Sequence, residues 1–219
     1  MIAGDMSAVN ANRVVVLFSG GVESSCLLYH HLINGQIVYP LYIRAGHPWE
    51  RLELINAKRL WRFTRLKHKN LMPIRVASFP VKSIRTQEVF IPLRNLSLVA
   101  IASALAYCLK ASSVSIGSLG HYPFEDNNRR YMQELESLIF KGAHRHIKVE
   151  APFMEMHKAE VLRSFENIVP FDMTLSCMRP YIHSSRIFHC GSCQKCQERY
   201  EAMSEAFGYV SNKPAKLIK

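Results

Sequence analysis

RVVVLFSGGVESSCLL, residues 13–28, decides how the chain folds. The apolar run Val14–Leu17 leads into Phe18, then Ser19-Gly20-Gly21, and a helix-period pattern begins at Val22. A short apolar run bounded by glycine reads as a buried strand of a parallel sheet, and the segment beyond the glycines reads as a helix N-terminus. The first turn of a helix leaves amide protons without intrahelical partners at the positive end of the dipole, an arrangement that binds phosphate. Gly20 and Gly21 lack a Cβ, which permits positive φ and lets an anion lie against the main chain. Ser19, Ser24 and Ser25 add hydroxyls, and Glu23 is a candidate to hold Mg²⁺ directly or through water. The plainer alternative is an ordinary βα turn with serine capping the helix.

Two other phosphate motifs are excluded. No Lys-Ser/Thr follows the glycines, as a Walker A loop requires, and no G-x-G-x-x-G follows the strand. Working outward, Gly35 ends the first helix (Val22 to about Asn34) and Gln36–Ile43 reads as a second strand, with Pro40 favouring an edge or bulge. The loop AGHPW leads into a helix from about Glu50 to Leu66. Its projection puts Arg51, Lys58, Arg62 and Arg65 on one side and Ala57, Leu60 and Phe63 on the other. Leu71–Phe79 reads as a third strand and Pro80–Ile91 as a connection. Pro92-Leu93-Arg94-Asn95 precedes LSLVAIASALAYCLKA, apolar almost all round and so expected as a helix buried against the sheet. A short strand Val114–Gly117 comes next, then a loop with His121, Glu125 and Asp126 able to reach over a substrate. A helix Arg129–Phe140, a strand near Ile147–Val149 and a helix Met156–Phe165 complete the alternation. Alternating strands and helices predict an α/β fold: a doubly wound, mainly parallel, Rossmann-like sheet with its ligand site at the carboxyl ends of the strands.

The chain has 219 residues, 48% of them hydrophobic, enough for one substantial core. The start, MIAGDMSAVNAN, has no basic and apolar blocks of a signal peptide, and Leu98–Leu109 is too short to cross a bilayer, so a cytoplasmic location without a membrane is expected. The formal charge of +11 is concentrated: residues 44–85 hold eleven Lys and Arg against Glu50 and Glu53. Such a patch attracts polyanions, although a solvated helix face is the better explanation, so nucleic acid is a possible partner and not the favoured one. Cys26 and Cys108 sit in apolar helical patterns and read as small buried hydrophobes.

The other four cysteines stand apart. Cys177 precedes the overlapping pairs Cys190-Gly-Ser-Cys193-Gln-Lys-Cys196 by twelve residues, a spacing that lets four thiolates close a tetrahedral structural zinc site. An iron–sulfur cluster is the competing occupant. His183 and His189 lie between the first two cysteines and read as surface or supporting residues rather than ligands.

The glycine loop resembles the SGGxDS PP-loop of the ATP pyrophosphatases, with Glu23 in place of the usual Asp. PP-loop and terminal cysteines together resemble the 7-cyano-7-deazaguanine synthases, the QueC family of queuosine biosynthesis. FSGGVESS (18–25), PLRN (92–95), SIGS (115–118), Pro152 with Lys158, Thr174-x-Ser176-Cys177 and the cysteine run through Arg199 carry the likeness. It implies an adenine nucleotide alpha hydrolase-like PP-loop domain over residues 1–170, with a four-cysteine zinc segment over 171–219 packed on it. It also implies ATP-dependent conversion of 7-carboxy-7-deazaguanine and ammonia to the nitrile, with ATP, Mg²⁺ and Zn²⁺ as cofactors and a homodimer as the expected assembly. Phe18, Ser19, Gly20, Gly21, Val22, Glu23, Ser24, Ser25, Cys26, Leu27 and Leu28 would form the ATP segment. Ser19, Glu23 and Arg94 would be catalytic, and Cys177, Cys190, Cys193 and Cys196 would bind the metal. Two loops depart from the family pattern, AGHPWER (45–51) and GHYPFEDNN (120–128), where a base would be read. A paralogue acting on another carboxylate, a PP-loop enzyme adenylating a tRNA base, and a zinc-stabilised nucleic-acid module without catalysis are the alternatives.

Overall fold

The computed structural model describes residues 10–79, 93–120 and 124–208. The expected connection Pro80–Ile91, Pro92 and His121 fall outside them. Strands β1 (Asn10–Leu17), β2 (Ile37–Arg44), β3 (Arg75–Ser78), β4 (Ala111–Ser115) and β5 (Lys148–Glu150) form one sheet in the order β3-β2-β1-β4-β5, every pair parallel. They alternate with helices α1 (Val22–Ile33), α2 (Glu50–Lys67), α3 (Arg94–Cys108), α4 (Arg129–Ala143) and α5 (Lys158–Ser164). A 3₁₀ turn (Phe171–Met173), an antiparallel hairpin of β6 (Tyr181–His183) and β7 (Arg186–Phe188), and helix α6 (Gln194–Phe207) complete the chain order. Among the described residues no helix is long and apolar enough to cross a membrane. From β1 the chain winds outward through β2 and β3, then returns to β4 on the other flank of β1. Strand order therefore reverses at the β1–β4 pair, where such sheets open a ligand crevice.

Alternation along β1 builds both halves of the core. Val14, Val16 and Phe18 pack with Leu27 of α1, Leu60 of α2, Leu162 of α5 and Met203 of α6. Val15 and Leu17 pack with Val99 and Ala102 of α3 and Met132 and Leu135 of α4. Val14 to Val16 are wholly enclosed, each contributing about 1.5–3 kcal/mol of burial.

Pro40 lies inside the sheet rather than at its edge. Leu41 O accepts from Phe18 N on the β1 side while Val38 N donates to Asn70 O on the other, so the donor that Pro40 lacks would point away from β1. On that side the pairing is interrupted: an isolated bridge joins Val38 to Leu71, and the β3 ladder starts only at Leu41–Arg75. The gap accommodates the proline and shortens the third strand from the expected Leu71–Phe79.

Three further expectations are corrected. Phe63 faces outward on α2, 37% exposed with Lys67 over its ring, because Thr64 takes the inward position. There Thr64 Oγ1 is 2.9 Å from the Tyr29 hydroxyl and donates to Leu60 O. Helix α3 buries one face only (Val99, Ala102, Ser103, Ala106), and Cys108 is exposed rather than buried. The remaining boundaries shift by a few residues: β4 begins at Ala111, α4 runs to Ala143, and α5 begins at Lys158, behind the His157 amide that donates to Glu160 Oε2.

Candidate functional site

At the carboxyl end of β1 the two glycines do different work. Gly20 has φ +79°, which an L side chain rarely adopts, and a Cβ there would lie 2.9 Å from the Ala57 Cα on α2. Gly21, contrary to expectation, has φ −74° and ψ 171°, ordinary extended backbone at the cap of α1. Its added Cβ would meet Ser176 Oγ at 3.3 Å and Ser19 Oγ at 3.4 Å. Gly117, just past β4, comes equally close, its notional Cβ being 3.3 Å from the Glu23 carbonyl. Small residues thus bring two strand ends and a helix start together.

Of the three loop hydroxyls, two face inward. Ser25, fully buried, donates to Gly21 O at 2.7 Å, and Ser24 donates to the same carbonyl at 3.1 Å while accepting from Ser19 N at 3.3 Å. They shape the turn. Ser19 Oγ accepts from Gly21 N at 3.3 Å and remains partly exposed. Phe18, Cys26, Leu27 and Leu28 put their side chains into the core, so the set able to touch a ligand contracts to Ser19 and the backbone of Gly20 to Glu23. The Cys26 thiol is pushed up by burial and by the Glu23 charge, which makes it a packing residue.

Glu23 Oε1 is ion-paired with Lys158 Nζ at 2.8 Å. Burial alone would raise this carboxyl, and the Lys158 ammonium more than reverses that, holding it below the usual carboxylate range. A carboxylate depressed in the folded state contributes stability above its unfolded pKa, and the contribution disappears as pH falls through the folded value. Lys158→Met is therefore expected to lower unfolding free energy by about 2 kcal/mol at pH 7, short of the 3–5 of a fully buried pair, with the difference shrinking below pH 4.5. Urea denaturation of both proteins at pH 7 and 3.5 measures it.

The cysteines meet as expected. The sulfurs of Cys177, Cys190, Cys193 and Cys196 all lie within 4.8 Å of one another and could hold a metal ion. Amides of Cys190 and Arg179 point at Cys177 Sγ, 3.3 and 3.4 Å away. His183 is exposed, whereas His189 is buried, and its Nε2 accepts from Ser176 N at 3.1 Å. Burial and the Arg199 charge lower His189 to about 3, which keeps the ring neutral and that nitrogen an acceptor.

What sequence reading misses is how the cysteine segment reaches the glycine loop. Residues 171–177 run across it as a strap: Leu175 N donates to Gly20 O at 2.9 Å, and Val22 N donates to Ser176 Oγ at 3.2 Å. Arg199 holds the strap from α6 through Thr174 Oγ1 and Phe171 O, both 2.7 Å, and Asn56 holds it from α2 through Met173 O at 2.8 Å. Thr-x-Ser beside Cys177 is the available signal, and spacing alone ties it to the cysteine cluster and not to the loop.

The two divergent loops frame the mouth. Leu93 adopts a left-handed φ of +58°, a strained turn from which α3 starts at Arg94. Asp126 of the second loop accepts from Asn95 N at 3.2 Å and so sits at the same helix start. Across from it, His47 stacks on Trp49 (4.4 Å between centroids), and Lys195 lies over the Trp49 ring. His47 Nδ1 is buried with no hydrogen-bond partner among the described residues, and burial followed by the charges of Arg94 and Lys195 lowers the ring to about 4. Burial raises the Glu53 carboxyl, which accepts from Tyr42 OH at 2.7 Å and feels the charges of Lys195 and Arg94. The glycine loop thus adjoins a mouth holding two cations, two carboxyl groups and a neutral imidazole.

Comparison with known proteins agrees with this geometry. The chain is 28% identical to 7-cyano-7-deazaguanine synthase 1 of Desulfitobacterium hafniense, the match covering 88% of this chain and 91% of that one. It is 24% identical to the 7-cyano-7-deazaguanine synthase of Pyrococcus abyssi over 90% and 94%. Among solved structures, a 4-thiouridine synthetase in complex with RNA and bound ATP superposes with a TM-score of 0.50 at 16% identity, over 74% of this chain and 42% of that one, a likeness of fold. The family model described as Queuosine biosynthesis protein QueC matches residues 13–207, nearly the whole sequence, and the chain belongs to that family.

Proposed function

We propose that the protein converts 7-carboxy-7-deazaguanine and ammonia to 7-cyano-7-deazaguanine at the expense of ATP. The observation that carries the reading is the strand-end turn of Ser19 and the Gly20–Glu23 backbone, where the charge of Lys195 reaches both Glu23 and, with that of Arg94, His47 at the mouth, in a chain whose relatives bear that activity's name. A carboxylate oxygen is a poor leaving group. Attack by the carboxylate on the α-phosphorus of ATP expels pyrophosphate, whose growing charge the Ser19 hydroxyl and the positive end of α1 would stabilise. Ammonia then displaces AMP to give the amide. The amide oxygen is adenylated in the same way and leaves with AMP, while nitrogen loses its two protons and the nitrile forms.

Mg²⁺ would arrive on the nucleotide phosphates. Glu23, already neutralised by Lys158, fits it only through its other oxygen or a water. Zinc is the metal assigned to the cysteines. Four sulfurs at the corners of a tetrahedron around one ion at 2.3 Å stand about 3.8 Å apart. Three of the sulfur pairs here, Cys190–Cys196, Cys177–Cys193 and Cys193–Cys196, are 3.9, 3.9 and 3.4 Å apart and all four sulfurs lie within 4.8 Å of one another, whereas in a four-iron cluster each thiolate binds a different iron.

Pyrophosphate release tests the reading: it is expected to need 7-carboxy-7-deazaguanine, with ammonium required for repeated turnover. The exposed basic face of α2 (Arg51, Lys58, Arg59, Arg62) favours a second reading, adenylation of a tRNA base, and release that needs tRNA instead would establish it. Arg94 is assigned to the substrate carboxylate rather than to phosphate, since its neighbours, the carboxyl groups of Glu53 and Asp126 and the neutral His47, belong to the mouth and not to the glycine loop. Arg94→Gln should raise KM for the acid by about tenfold to a hundredfold, the worth of a charged hydrogen bond, and change ATP affinity less than about threefold. Equal losses in both would move Arg94 to the phosphates.

A further inference from the structure

We infer that the strap Thr174–Cys177 makes metal loading and nucleotide binding one coupled equilibrium, with Ser176 as the hydroxyl that joins them. The inference rests on the nucleotide reading of the glycine loop. A hydroxyl offers one proton and two lone pairs. Ser176 Oγ accepts from Val22 N, the first amide of α1, and its own proton has no acceptor among the described residues. A phosphate oxygen over the same helix start supplies one, so Ser176 bridges loop amide and anion.

The next residue is a metal ligand. Cys177 lies one peptide unit away, its sulfur against those of Cys193 and Cys196. Ser176 N is fixed in turn by His189, the neighbour of ligand Cys190. With the metal bound, both sides of Ser176 are anchored by the four-cysteine site and its hydroxyl is held at the loop. With the metal gone, only the hydrogen bonds of the strap keep it there. Metal therefore favours the geometry that nucleotide needs, and by linkage nucleotide favours retention of metal by the same factor.

The test uses the zinc-loaded full chain and the Mg²⁺ complex of a non-hydrolysable ATP analogue. Zinc release to a fixed concentration of chelator is expected to fall about fivefold or more at saturating analogue, the lower end of usual coupling. Ser176→Ala should keep its zinc, bind the analogue about tenfold more weakly and lose most of the protection, and Ser176→Thr should restore both. An analogue that binds the natural protein without slowing zinc release overturns the inference and leaves the proposed function standing. So does a zinc-loaded Ser176→Ala that binds as tightly as the natural chain. An analogue that does not bind the natural protein removes the nucleotide reading and this inference with it. The release experiment on the natural chain decides the matter even where the alanine variant fails to fold.

Discussion

Gly21→Leu is expected to abolish pyrophosphate release, by more than about a thousandfold, while the protein stays folded. The expectation comes from the division of labour between the two glycines. At Gly21 the backbone is extended, with φ −74°, so a side chain introduces no torsional strain. The new atoms enter the space between Ser19 Oγ and Ser176 Oγ, over the start of α1 where a phosphate would lie. Removing one donor from a preorganised oxyanion site lowers rates by about 10²–10³, and excluding the anion forfeits several donors together. Gly20→Ala should behave in the opposite way. Its φ of +79° costs a non-glycine residue about 1–2 kcal/mol, and a Cβ 2.9 Å from the Ala57 Cα adds roughly 1–3 more by overpacking α2. At about 2–4 °C per kcal/mol its thermal midpoint should drop by roughly 5–15 °C. Calorimetric melting and a pyrophosphate assay on both variants separate the effects. Full turnover by Gly21→Leu would mean that the cradle does not hold the leaving group.

The strand, the turn and the first helix are legible because three independent signals coincide there: an apolar run of strand length, glycines at the break, and a new period after it. The clustering of the four cysteines is legible because ligand spacing is a local property of the chain. Phe63 and Thr64 show where local reading fails. Hydrophobicity ranks Phe63 as the inward residue, yet Tyr29, thirty-five positions earlier, offers Thr64 a buried hydroxyl partner that periodicity does not register. A lost donor argues for Pro40 at an edge, and only the gap opposite it in the β3 ladder makes it harmless inside the sheet. Cys108 reads as buried because its helix is apolar on every face, and which face meets the sheet is a tertiary fact. Helix α6 and the hairpin β6–β7 escape sequence reading because their strands of three residues carry no readable alternation and the helix is anchored by Ala202 and Met203 only once it reaches the core. Most consequential is Ser176: a contact across 154 positions joins two motifs that sequence keeps apart.

Cys193→Ser should remove the metal and, with it, the fold of the C-terminal segment. Around its four sulfurs the segment gathers little else: Leu175 is the buried apolar residue, with Met178 and Ile187 beside it, and every residue of β6 is exposed. A cluster that small cannot offset the ordering of some thirty residues, whereas a structural zinc contributes about 10–16 kcal/mol at neutral pH, comparable to the stability of a whole domain. The damage should spread, since Ala202 and Met203 of α6 lie in the main core and Arg199 fastens the strap. Metal analysis is expected to fall from about one zinc per chain to near none, with the thermal midpoint lower by roughly 10 °C or more and new protease cleavage between residues 178 and 192. Cys108→Ser is the matched control, an exposed thiol outside the four-cysteine cluster, and should change neither metal nor melting. Equal stability of a metal-free Cys193→Ser would mean that the thiols pack as ordinary small side chains. Retained zinc in that variant would mean that three sulfurs suffice, and the fourth position would then be open to chemistry rather than closed for structure.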